Sequence, residues 1–374
     1  MTNNQPIGLY IHIPFCLKKC AYCDFYSLCH TTKQQKQAYV DELCREIASY
    51  ASKSLVADTV YIGGGTPTTL SKEQLLQIIY AVKGAFALSD DLEFTLEMNP
   101  ATASFETLRA LREAGVNRLS IGIQSLCDDE LSVLGRVHSA NDALQSVRIA
   151  REAGFENVSV DVMYGIPNQT QTSFEKTING ILALKPEHIS AYSLIFEEGT
   201  PFFEQKDSFR LANEDEEFAF YQTLCDRLKE SGYCHYEISN FAKEGKHSRH
   251  NQRYWLLSPY IGCGAAAHSF FGGIRYQNAS DISKYLSGFQ NSRETEEIPT
   301  KSDLAYEYAI LGLRTKEGIL LSEYEKQSEQ PLASQKIEYV KRLCEQGYAT
   351  FDGDRFAFTD RGFYVSSHIL TELF

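Results

Sequence analysis

No run of about eighteen apolar residues occurs along the 374 positions of this chain, so no membrane-crossing helix is expected. Its first residues, MTNNQPIGLYIHIP, lack the basic stretch, apolar core and small-residue cleavage site of a secretory leader, and a cytoplasmic location is the expectation. Positive charge is scarce: 36 basic residues face 49 acidic ones, for a net charge of −13. That balance disfavours a broad electrostatic footprint for nucleic acid, so no nucleic-acid partner is expected. The glycines at 63–65 are not followed by Gly-Lys-Ser/Thr, which excludes the phosphate-cradling loop of nucleotide triphosphatases. What remains is ordinary globular material, 43% hydrophobic and 23% charged, long enough for one large domain and a smaller one. Ten cysteines in a chain of this length make no disulfide scaffold; they suit a reducing compartment and a metal site.

Three of those cysteines stand together. Leu9–Ile13 reads as a buried strand, and Cys16, Cys20 and Cys23 follow it at C-x3-C-x2-C spacing. Three thiolates in one short loop can hold three irons of a 4Fe-4S cluster and leave the fourth open to another ligand. Three idle thiols are the alternative, and the later motifs argue against it. Cys29 fits no fourth-ligand spacing and reads as a spare thiol. Cys44, Cys225 and Cys234 read as packing residues, and Cys263 and His268 need not be ligands.

Residues 7–200 alternate strand and helix patterns. Strands are expected at Asp58–Ile62, Leu92–Leu96, Arg118–Ile123, Val158 onward and His188–Leu194, with helices at Thr31–Tyr50, Phe105–Ala114, Ala140–Ala153 and Ser173–Leu184. Such alternation implies a parallel sheet with helices packed outside and ligands beyond the C-terminal ends of the strands. The cysteine loop, the glycines at 63–65 with Thr66, Glu97, Gln124 and Asp161 all fall at such ends. Scattered in sequence, they converge in one mouth. Beyond residue 200, 203–231 reads as acidic and helical. From Lys301 short helices surround a hairpin, Tyr348–Phe351 with Arg355–Phe358, before a last helix at Gly362–Leu373.

With these residues in view, YIHIPFC-x3-C-x2-C resembles the radical S-adenosylmethionine (SAM) superfamily, and within it the relatives of the oxygen-independent coproporphyrinogen III oxidases. The resemblance implies an α/β fold: a (β/α)6 partial barrel with a small C-terminal winged-helix-like α+β domain. Residues 1–235 would form the core, 236–300 a motif-bearing connection packed on it, and 301–374 the C-terminal domain. It also implies a 4Fe-4S cluster on Cys16, Cys20 and Cys23. SAM would be chelated at the open iron and contacted by Tyr10, Tyr22, Gly65, Thr66, Glu97, Gln124, Arg136, Asp161 and Ile195.

A second motif reads His250-Asn251-Gln-Arg-Tyr254-Trp255 and holds the chain's one tryptophan. An imidazole can ligate haem iron, and aromatic rings can stack on a porphyrin. Taken alone, the residues fit a structural His-Asn pair and a core Tyr-Trp pair equally well. H-N-x-x-Y-W also resembles a signature of HemW-type haem chaperones, which implies haem bound at His250, Asn251, Tyr254 and Trp255. Two functions from different classes compete. One is a chaperone passing haem to acceptor haemoproteins, among them a membrane-associated respiratory acceptor; the other is a radical oxidase decarboxylating coproporphyrinogen III. The oxidases carry a further cysteine two positions after the third ligand, where this chain has Phe25, and with the first strand beginning near residue 7 their longer N-terminal extension is not expected here. The expectation is therefore the chaperone. Oligomeric state and cleavage of SAM stay open.

Overall fold

The computed structural model describes residues 6–374, apart from the side chains at 52–54 and 295–296. Six parallel strands run in sequence order: β1 (Ile7–Ile13), β2 (Ser52–Gly64), β3 (Phe86–Met98), β4 (Arg118–Gln124), β5 (Val158–Tyr164) and β6 (His188–Ser193). Each is followed by a helix that covers the outside of the sheet, the arrangement the βα rhythm predicts. Alternation divides the side chains. Leu9, Ile11 and Ile13, with Val60, Ile62, Phe94 and Leu96, point outward into one large buried core beneath the helices. Their neighbours in sequence point inward and are mostly polar. Register aligns Tyr10 with Tyr61, Tyr61 with Thr95, and Thr95 with Arg118 in one inward row.

The helices begin as their sequences dictate. Thr32, Ser71, Ser139 and Thr170 each accept the N–H of the third helical residue on the side-chain oxygen and donate their own backbone N–H to that residue's side chain. Outside the barrel, the helical stretch 203–231 is divided into Pro201–Gln205, a short turn of 3-10 helix, and Glu214–Glu230. Asn213 restarts the helix by taking the N–H of Glu216, which fixes the break. The last helix is likewise interrupted, as Asp360–Tyr364 and Ser366–Leu373.

Residues beyond the barrel's last parallel strand are woven into the same sheet. β7 (Cys234–Glu237) and β8 (Asn240–Ala242) extend it past β6, while β9 (Tyr260–Cys263) pairs in parallel with β1. β10 (His268–Phe271), β11 (Ile274–Asn278) and β12 (Arg293–Glu297) continue outward from β9. The six parallel strands thus form a partial barrel whose two edges are covered by later chain. Between β8 and β9 runs the short helix Arg249–Trp255, which lies across the N-terminal ends of the strands.

The C-terminal domain has its own core of Leu313, Ile319, Val340, Phe356, Phe358, Ile369 and Leu373. Helices pack there on a small antiparallel sheet of β13 (Ile319–Leu320), β14 (Ala349–Phe351) and β15 (Arg355–Phe358). Asp360 anchors it to the barrel: His235 Nδ1 lies 3.0 Å from its carboxylate, and the Tyr221 hydroxyl donates to its carbonyl at 2.8 Å.

Candidate cofactor site

The cysteine loop is closed on itself by two backbone bonds, from Cys16 N to Leu28 O (2.9 Å) and from Leu28 N to Pro14 O (2.6 Å). It rests on the glycine turn after β2. Gly65 N donates to Ile13 O at 2.9 Å, and Thr66 N to Phe15 O at 2.8 Å. Only glycine permits that approach. A Cβ at Gly65 would stand 2.9 Å from Phe15 O and 3.0 Å from Cys16 Sγ, and Gly64 has φ +110°, a conformation costly for any other residue. The second anchor is Arg136. It donates to Gly122 O (2.6 Å) and Asn99 Oδ1 (2.7 Å), and its Nη1 lies 3.5 Å from Cys20 Sγ. Asn99 in turn donates to Thr66 Oγ1 at 2.8 Å, and Thr66 Oγ1 lies 3.6 Å from Cys16 Sγ.

A cavity of about 360 Å³ opens at this end of the barrel. Cys16, Cys20, Cys23, Tyr22, Gly65, Thr66, Glu97, Gln124, Arg136 and Asp161 all line it, so ten predicted positions from six separate segments meet in one place. Gln124 adopts φ 67° where the ladder to β5 slips by a residue. A non-glycine residue in that region stores local strain, a cost tolerated where a side chain must be aimed. Two carboxylates stand deepest. Glu97 accepts from the Tyr61 hydroxyl (2.6 Å) and from Gly64 N (3.1 Å); Asp161 accepts from Ser120 Oγ (3.2 Å). Burial pushes the Glu97 carboxyl up to about 7, against the lowering effect of the Tyr61 hydrogen bond and with the help of the nearby Asp161 charge. Asp161 is raised as well, first by burial, with Ser190 and Ser120 opposing.

Two expected SAM contacts fall elsewhere. Ile195 is 64% exposed beyond the end of β6 and does not line the cavity. Tyr10 lies deeper, among aromatic rings, with its hydroxyl 3.0 Å from His12 Nδ1. Sequence reasoning missed Asn99, which ties the glycine turn to Arg136, and Tyr61 and Tyr192, which point inward. Asn99 belongs to the same Glu97-Met-Asn99-Pro strand end, and Tyr61 carries the inward phase of β2. Both signals were there to be read.

The second motif is at the opposite end. His250 is 1% exposed. Its Nδ1 lies 3.0 Å from Thr59 Oγ1 and its Nε2 2.9 Å from the Tyr254 hydroxyl, so both ring nitrogens are engaged. Burial, reinforced by Arg253 and Arg118, lowers its pKa to about 3 and keeps the ring neutral. The backbone N–H groups of Arg249 and His250 donate to the Glu93 carboxylate at 2.9 and 3.0 Å. Arg253 pairs with Asp58 and donates to Pro6 O and Pro259 O at 3.2 Å. Asn251 N is capped by Ser248, and the Trp255 ring lies 5.8 Å from the Arg314 guanidinium. A neutral imidazole has one lone pair, and here it is spent inside the protein.

The donor set at the mouth suits an iron–sulfur cluster. No group of three or more His, Cys, Asp or Glu among the described residues converges on a single-ion point. A cluster of four irons asks instead for separate thiolates arrayed around it. Buried Arg136 Nε and Ser27 Oγ, beside the cysteines, have no partner within the protein. Burial raises the Cys16 and Cys23 thiols, and iron coordination would offset this by holding them deprotonated.

These features define a radical SAM protein. Residues 10–181 match the family model of the radical SAM superfamily, and 300–365 match that of the HemN C-terminal domain. A Bacillus subtilis protein named Heme chaperone HemW is 40% identical over 90% of this chain and 91% of its own. Its namesake from Lactococcus lactis subsp. lactis is 35% identical over 98% of this chain and 96% of its own. The chain belongs to the HemW family of radical SAM proteins. In the solved structure of Escherichia coli coproporphyrinogen III oxidase, HemN, the fold recurs with a TM-score of 0.86, across 99% of this chain and 90% of that one, at 24% identity. Among the described residues no helix is long and apolar enough to cross a membrane.

Proposed function

We propose that this protein binds haem and passes it to acceptor haemoproteins, and that it carries a 4Fe-4S cluster on Cys16, Cys20 and Cys23 with SAM in the adjoining cavity. Bound there, the cluster and SAM would supply either radical chemistry or a ligand-dependent switch. The chain's own residues shape that site. Gly65 lets the backbone approach the cluster loop, Arg136 and Asn99 present a cation and an amide to a carboxylate-bearing ligand, and Glu97 and Asp161 face its amino and hydroxyl groups.

The observation that carries the chaperone reading is Phe25. It stands two positions after Cys23, where the oxidases carry a cysteine, and it is 69% exposed at the lip of the cavity. An open apolar ring offers a flat macrocycle a stacking surface and offers the oxidase reaction no thiol. Leu17 and Val137, also exposed, extend this apolar character beside the mouth. Lys18 and Lys19 beside them suit the propionates of haem.

The test is anaerobic reconstitution of the cluster followed by two parallel assays. Haem is titrated in while the Soret band is followed, and the loaded protein is mixed with an apo-haemoprotein. Coproporphyrinogen III is offered separately with SAM and a reductant. Saturable haem binding and transfer without decarboxylation is the expected result; robust decarboxylation would establish the oxidase instead.

A further inference from the structure

The H-N-x-x-Y-W motif occupies the end of the barrel that the cofactors do not. Its helix enters with two backbone N–H groups on Glu93, an inward carboxylate of β3. Glu97, at the mouth, is the inward carboxylate four residues further along that strand. At about 3.3 Å per residue the two are ~13 Å apart. One ring spans most of that gap. Tyr61 stacks on His250, centroids 5.1 Å apart with 27° between the planes, and its hydroxyl donates to Glu97 Oε1 at 2.6 Å. Tyr10 completes the layer at 6.4 Å from His250 and 6.3 Å from Tyr61. His250 itself is held from three sides, by Thr59, Tyr254 and the Glu93 carboxylate.

We propose that the H-N-x-x-Y-W helix is the floor of the barrel, and that His250 is a positioning residue for Glu97, acting through the ring of Tyr61, and not an axial ligand of haem. The proposal rests on SAM occupying the mouth, as read above. Its logic is steric and polar. The imidazole gives Tyr61 a flat, fixed platform. Tyr61 then holds one carboxylate oxygen of Glu97 while Gly64 N holds the other. A haem iron at His250 would have to break a hydrogen bond from one ring nitrogen and open a floor that Arg249 and Arg253 close through Asp58.

Three variants of the full chain, with the cluster reconstituted, separate the roles. Each is titrated anaerobically with SAM by calorimetry and with haem by the Soret band. His250→Ala removes the platform, and SAM affinity falls roughly tenfold, the worth of one hydrogen bond to a charged group. His250→Phe keeps a flat ring but offers no nitrogen to iron, and SAM affinity returns to within about threefold of wild type. Tyr61→Phe keeps the stack but loses the donor. SAM binding weakens as in His250→Ala, and its pH midpoint moves upward, because Glu97 then faces Asp161 and Arg118 without the Tyr61 hydroxyl. In all three the Soret maximum and the haem affinity stay those of wild type. A shifted Soret band or lost haem affinity in His250→Phe, with SAM binding intact, overturns the proposal and makes His250 the ligand. If His250→Ala does not fold, His250→Phe and Tyr61→Phe still decide it. Absence of haem binding by the wild type would count against the chaperone reading and leave the SAM arm standing.

Discussion

The two ends of this barrel are made by the same six strands and have opposite character. At the mouth, polar side chains face a cavity, Gln124 holds a left-handed backbone, and Arg136 Nε and Ser27 Oγ go unpartnered. At the floor, Thr59, Glu93, Arg249, His250 and Arg253 are buried or half-buried and their polar groups are paired with one another. Satisfied buried networks rigidify, whereas polar groups left open are available to a ligand. The difference teaches that residue type alone does not mark a functional site. His250 and Glu97 are equally eye-catching in sequence, and only Glu97 lines the cavity.

That contrast can be broken or sharpened in several ways. Cys20→Ala should abolish the cluster, with iron and sulfide after reconstitution at background, while the urea stability of the apo chain stays within about 0.5 kcal/mol of wild type. The floor should respond in reverse. Arg253→Ala leaves Asp58 with Arg249 alone and unpairs the Pro6 and Pro259 carbonyls, and should cost about 1–3 kcal/mol in urea unfolding. Cluster assembly in whatever protein remains folded should be normal.

Glu97→Gln should trade function for stability. The native carboxyl titrates near 7, above its unfolded value, so its penalty is absent below about pH 4.3, grows as pH rises and is complete above 7. The neutral amide removes it, and the apo chain should gain on the order of 2 kcal/mol at pH 8 while SAM binding weakens. Buried histidines act with the opposite sign. His250 is held near 3, and His12 and His138 near 4, chiefly by burial. Below about pH 6.5 the unfolded chain binds protons that the folded one refuses, so stability is lost as pH falls. Each contributes roughly 1.4 kcal/mol per pH unit, and His250→Phe should reduce the slope between pH 6 and 4.5 by about one proton. Phe25→Ser should matter least to the fold, within about 0.5 kcal/mol, and should weaken haem binding several-fold if the mouth receives haem.

Much of this was legible because it is local. Three cysteines spaced four and three residues apart mark a candidate cluster loop before any fold is known. Inward-facing Glu97, near the end of β3, and Asp161, midway along β5, interrupt apolar runs on the side where an α/β fold gathers its ligands. The extra length of β2 and β3, the break before Asn213 and the division of the last helix were not legible, since each depends on neighbours distant in sequence. The position of the motif at 250–255 was not legible for the same reason. A seven-residue helix carries too little pattern to say which face of which sheet it meets.

The sequence by itself therefore determined the strand-and-helix rhythm, the cysteine loop and the convergence of polar residues at the strand ends. These follow from spacing along the chain, and spacing survives without coordinates. Only the tertiary structure decided that the chain returns after β8 to plug its own barrel, with His250 inside and facing away from solvent. That choice belongs to contacts between residues about 190 apart, Thr59 with His250 and Asp58 with Arg253, whose energy no local pattern records.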